Sequence, residues 1–86
     1  MAKAFAALDR ELSPLLPEAL ATRIGVACVR DRTLVLAAAD AAAAARARLM
    51  AAELMRRANT LWPEPVTHWK VVVVPEIRFD RPSPRT

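Results

Sequence analysis

The spacing of apolar residues changes along the chain, and each change predicts an element. Phe5, Leu8 and Leu12 recur at helical intervals in "KAFAALDREL", which predicts a helix over residues 3–12. Ser13-Pro14 then reads as a stop and a fresh start, because Ser caps helices well and Pro suits the first helical position. A short helix from Pro14 to about Arg23 follows, with Leu16 and Leu20 on one face. From Ile24 the period drops to two. Ile24, Val26 and Cys28 alternate with Gly25, Ala27 and Val29, and Leu34 and Leu36 alternate on a returning strand. Asp31-Arg32 is the turn between them. Tight hairpin turns want Gly or Asn where Arg32 stands, so a slightly longer or strained connection is expected.

Helical spacing returns after Asp40, a good N-cap whose carboxylate also complements the helix dipole. Ala43, Ala47, Met50, Leu54, Ala58 and Leu61 fall on one stripe. Arg46, Glu53, Arg57 and, at the flank, Arg56 lie on another side, and Arg48 lies elsewhere. Glu53 and Arg57 have the spacing of an i,i+4 ion pair. Ala is the strongest helix former, so a weak stripe still makes a firm helix. Pro63 and Pro65 end it. "HWKVVVV", His68 to Val74, is a β-branched run closed by Pro75, and its unbroken apolar stretch predicts a central strand. Residues 75–86 read as an extended tail, in which Ile77 and Phe79 extend or dock the last strand.

The predicted order is helix–helix–strand–strand–helix–strand. Its simplest packing is an α+β two-layer domain, a three-stranded sheet with helices on one face. The long helix would be a right-handed crossover if the strands it joins are parallel. One domain over residues 1–75 and a flexible Pro/Arg-containing tail over 76–86 are expected.

Composition narrows the function classes. With 86 residues, 19 of them Ala, the chain builds one small core and leaves little room for an enclosed catalytic pocket. The formal net charge of +4 draws it to polyanions. Arg outnumbers Lys, and its planar fork suits phosphate and carboxylate, although GC-rich coding favours the same composition. A single cysteine, Cys28, excludes an intrachain disulfide and fits a reducing cytoplasm. No apolar run reaches the roughly 18 residues of a membrane helix, and "AFAAL" is too short for the core of a signal peptide.

Catalytic chemistry finds no constellation. His68 is the only histidine, Gly25 the only glycine, and the carboxylates are scattered. This excludes His-pair metal sites and Gly-rich phosphate loops. Cys28 on the apolar alternation reads as a small core residue. No catalytic residue, metal site or cofactor is assigned, and the chain is read as a non-enzyme. Two groups stand out instead. Arg46, Arg48, Arg56 and Arg57 on the helix, with Arg78, Arg81 and Arg85 in the tail, are candidates for contact with nucleic acid or a partner. Trp62 and Trp69 beside the Pro-rich turn read first as packing residues, with base stacking or a protein hot spot as the functional alternative.

"LLPEALATRIGVACVRDRTLVL" and "AAARARLMAAEL" resemble the DciA-like family across roughly residues 12–74. Members of that family carry a Leu-Pro-rich helix and a hairpin with an "R-D-G-T-L-V-L"-like turn. A helix of the form "W-A-x-R-L-R-x-L-x-x-E-L" and a Val-rich last strand follow. The resemblance implies a fold similar to the KH domain. It also implies a bacterial, cytoplasmic protein that binds DNA and the DnaB-type replicative helicase and assists helicase loading. The chain departs from the pattern at three places. Arg32 stands for the turn Gly. Ala43 stands for the helix Trp, so Trp62 or Trp69 is expected to fill the space. Longer relatives also add a disordered basic extension, where only residues 75–86 follow here. A G-x-x-G nucleic-acid loop is not available to this chain.

The leading expectation is therefore a non-enzymatic accessory protein that binds DNA, single-stranded or without sequence preference, and docks on the replicative helicase. The alternative is a protein–protein or homodimerisation module, joined through sheet edges or a swapped element, that binds no nucleic acid.

Overall fold

The computed structural model describes residues 2–79, so Arg81 and Arg85 lie outside the described residues. The elements are α1 (Ala2–Leu12), β1 (Ile24–Arg30), β2 (Thr33–Ala38), α2 (Ala41–Leu61) and β3 (His68–Val73). β1 and β2 form an antiparallel hairpin, and β3 joins β2 in parallel after the α2 crossover. The result is a two-layer α+β domain whose helices pack on one face of a three-stranded mixed sheet in the order β1-β2-β3.

β2, not β3, is the central strand. β2 is the most buried strand, and its alanines Ala37 and Ala38 are almost wholly inaccessible. The valines of β3 are half-buried or exposed at the sheet edge. A run of Val is apolar enough to read as buried, whereas the most buried strand uses, at its covered end, small residues that read as weakly apolar.

The segment from Ser13 to Arg23 is not a continuous helix. It makes two 3-10 turns, Ser13–Leu15 and Glu18–Leu20. Leu16 is extended between them, as the residue before Pro17 prefers. Ser13 does not cap, since its hydroxyl donates back to the Arg10 carbonyl at 3.1 Å. Leu20 is buried as expected.

The hairpin is tight and strained. Asp31 and Arg32 both have positive φ, 53° and 61°, the backbone of a two-residue primed turn made without glycine. Further along β1 the register slips at Ala27, between Val26 and Cys28. This bulge hands the core position to Val29, which lies opposite Leu34, and moves Cys28 opposite Val35 on the other face. The strict alternation expected for Cys28 therefore breaks at one residue, as a bulge requires.

Asp40 caps α2 by accepting the Ala43 N–H at 2.8 Å, and it also pairs with Arg23. At the other end Trp62 closes the helix before Pro63. The buried stripe is Ala43, Ala44, Ala47, Ala51, Leu54 and Ala58, with Met50 half-buried at its margin and Leu61 exposed. Leu61 is lost from the stripe because the helix ends there. The Asn59 side chain holds both the N–H and the carbonyl of buried Val66, at 2.7 and 2.5 Å, and so fixes the turn into β3.

The core has two clusters. One gathers Leu8, Leu12, Val26, Leu34, Leu36, Leu54 and Val66, and the other Leu20, Ile24, Ala38, Ala43, Ala44 and Ala47. Neither tryptophan fills the space beside Ala43. Trp62 stacks on Phe5 with ring centroids 5.6 Å apart at the far end of α2, and Trp69 lies opposite Leu34 at the start of β3. At Ala43 the helix closes on the sheet through small side chains instead.

The two sheet edges differ. On β1 the Val26 N–H is taken by the Asp9 carboxylate of α1 at 2.9 Å, so the helix covers that edge. β3 exposes Trp69 and Val73. Past β3 the chain turns through Glu76, which has positive φ, and crosses the end of the sheet. The Phe79 N–H donates to the Thr22 carbonyl at 2.9 Å, and its ring lies against Gly25. A Cβ on Gly25 would meet that ring at 2.5 Å, which explains the one glycine of the chain. Phe79 thus docks against β1, not against the last strand.

Candidate nucleic-acid and partner interface

The outward side of α2 carries the predicted contact residues. Arg46, Arg48, Arg56 and Arg57 are all exposed. At about 100° per residue they do not share one patch. Arg46, Met50, Glu53 and Arg57 form a ridge on one flank, with the two arginines about 16 Å apart along the axis. Arg56 follows Leu49 along the crest. Arg48 lies on the other flank, which Asn59 ties toward β3. Among the described residues Glu53 and Arg57 form no ion pair within 4 Å, and the pair present is Arg23–Asp40. Glu53 therefore keeps its carboxylate in solvent between Arg46 and Arg57, where it weakens the pull of that ridge on phosphate.

Leu49 was not among the expected contact residues. It is 82% exposed at the crest, amid the arginines. Its signal in the sequence was a large apolar residue off the buried stripe. Beside the crest, where α2 meets the first 3-10 turn, Leu15, Met50, Glu53 and Leu54 line a shallow depression, and Leu15 is exposed. The outer side of α2 is thus a mixed surface of cations around an apolar centre, the composition of protein-contact surfaces built on Arg and apolar anchors.

Trp62 is half-buried and engaged with Phe5, so its ring is used in joining α1 to α2. Trp69 is 38% exposed near the open edge of β3. Arg78 is exposed on the segment that crosses the end of the sheet, apart from the helix arginines. No three His, Cys, Asp or Glu side chains converge for a metal among the described residues. No described helix is long and apolar enough to cross a membrane.

The family model described as "Dna[CI] antecedent, DciA" matches residues 1–76. The chain belongs to the DciA family. No curated protein matches it. DciA proteins are replication accessory factors of the helicase-loader type, and this DciA domain has the helix–strand–strand–helix–strand order expected from the resemblance. The match covers α1 through β3 and ends at Glu76, on the segment that leads to Phe79.

Proposed function

We propose that this DciA-family chain is a non-enzymatic cytoplasmic accessory protein of DNA replication. It docks on the replicative helicase and binds DNA weakly, single-stranded or without sequence preference. The observation that carries the reading is the outer side of α2, where Leu49 stands exposed among Arg46, Arg56 and Arg57 on a chain of net charge +4. Leu49 and the Leu15–Met50 depression give a protein partner an apolar anchor, and the arginines supply charge-assisted contacts at its rim. The test pairs a helicase pull-down with titration of labelled single- and double-stranded DNA at two salt concentrations. Leu49→Asp is expected to abolish capture of the helicase. Arg46→Ala with Arg57→Ala is expected to lower DNA affinity and flatten its salt dependence. Wild-type protein that captures no helicase would overturn the docking role.

The open edge of β3 favours a second reading, a homodimerisation module. Antiparallel pairing of two β3 strands centred on Val71 would set Trp69 opposite Val73 of a second copy, covering the exposed apolar residues of both. A dimer by light scattering together with no DNA binding at about 50 mM salt would favour that reading over the first.

A further inference from the structure

We propose that the open face of the sheet, the layer opposite α2, is a binding surface for single-stranded nucleic acid, with phosphates held by Arg30 and Lys70. This rests on the reading that the protein binds nucleic acid. It places the contact on the layer opposite the helix arginines.

Strand register defines the face. Neighbouring residues in a sheet share a side, and Leu34, Leu36 and Ala38 point to the core beneath α2. The alternate positions therefore face away from it. They form three rows: Arg30, Thr33 and His68; then Cys28, Val35 and Lys70; then Gly25, Ala37 and Val72. Phe79 lies over Gly25 in the third row. The first two rows stay open, with Arg30, His68 and Lys70 exposed and Cys28, Thr33 and Val35 half-buried.

The charge on this face has one sign. Arg30 and Lys70 are cations, His68 adds a ring with a polar edge, and among the described residues no carboxylate stands in these three rows. The nearest acidic residue in sequence, Asp31, sits in the turn at the border beside Arg32. The ridge on α2 has Glu53 between its arginines, so the sheet face is the more uniformly cationic of the two. Between the cations lies a floor of Val35 and Cys28, continued by half-buried Val72.

That combination fits a single strand. Arg30 and Lys70 stand two strands and one row apart, roughly 12 Å between Cα atoms from ordinary sheet spacings. Long side chains on these positions reach phosphates on either side of a strand laid across the sheet. The floor between them accepts base or sugar faces without reading sequence, as single-strand binders do. An apolar floor has no use for paired bases, whose faces are stacked inside a duplex. Because the face is on the opposite layer from α2, nucleic acid here leaves Leu49 free for a protein partner.

The experiment compares Arg30→Ala/Lys70→Ala with Arg46→Ala/Arg57→Ala in the full chain. Anisotropy of a labelled oligothymidine and of a duplex is read at two salt concentrations, and helicase pull-down is read in parallel. Circular dichroism checks that both variants fold. The sheet pair is expected to weaken oligothymidine binding at least about three-fold and to cut the salt slope by about 1.4, since each lost single-strand contact removes about 0.7. Helicase capture stays unchanged, and Arg30→Lys retains binding. If the sheet pair binds DNA like wild type while the helix pair does not, the protein binds DNA but this site is wrong. If the sheet pair loses helicase and keeps DNA, the face is a protein-docking surface and the proposal falls. If wild-type protein binds no DNA at low salt, the nucleic-acid reading itself fails and takes this site with it.

Discussion

The two halves of α2 sit on the sheet by different means. The first half rests on Ala43, Ala44 and Ala47, closed against Leu20, Ile24 and Ala38. The second half rests on Leu54, with Ala51 and Ala58 beside it, over the leucines of α1 and β2, and the Phe5–Trp62 stack closes its end. One half is held by closeness, the other by bulk. In the first, each side chain buries little area, and the helix gains dispersion contacts by lying near the backbone of the sheet. In the second, each leucine removes much more apolar surface from water. A chain rich in alanine can thus build a firm core, provided that its few large residues are concentrated at one end.

Substitutions can break this contrast in order of size. Leu54→Ala should cost about 2–5 kcal/mol in urea unfolding, because the bulk-filled half cannot collapse onto the space left behind. A loss below about 1 kcal/mol would show that this half packs no more by volume than the other. Ala47→Leu should destabilise by about 1–3 kcal/mol, since the close-packed half has no room for three more carbons. A neutral Ala47→Leu would mean that α2 is not tightly seated there. Asp40→Ala removes the cap that starts the close-packed half and should cost about 0.5–2 kcal/mol. Asp40→Asn keeps a capping oxygen and loses only the exposed Arg23 pair, so a fall in melting temperature that is as large would shift the weight from cap to charge. Arg46→Ala, on the outward flank, should change stability by less than about 0.5 kcal/mol and leave both halves undisturbed.

Much of the fold was legible because it rests on local rules. Asp40 announces its helix and Pro63 ends it, and the period-two stretches around Asp31-Arg32 announce the hairpin. What could not be read depends on contacts between elements. The Val run of β3 looked central because hydrophobicity does not say which faces are covered, and alanines in β2 took that place. The bulge at Ala27 leaves no mark in residue type, yet it decides that Val29 and not Cys28 enters the core. The candidate surface divides in the same way. Exposure of the helix arginines followed from spacing, and so did the offset position of Arg48. Leu49 was visible as a large apolar residue off the stripe. The grouping of Arg30 with Lys70 was not, because it requires the parallel register of β3 on β2. The tail arginines Arg81 and Arg85 remain without a place in the described residues.

The contact of Phe79 with Gly25 has a practical meaning for anyone who attaches something to this protein. The chain does not leave the domain where its last strand stops. It is carried across the end of the sheet and pinned at the opposite corner, beside Thr22 on the β1 side. A dye, tag or tether added beyond residue 79 therefore starts its reach from β1, and a distance measured from it reports on that corner. Gly25→Ala would put a methyl group where the ring sits and would move that anchor point.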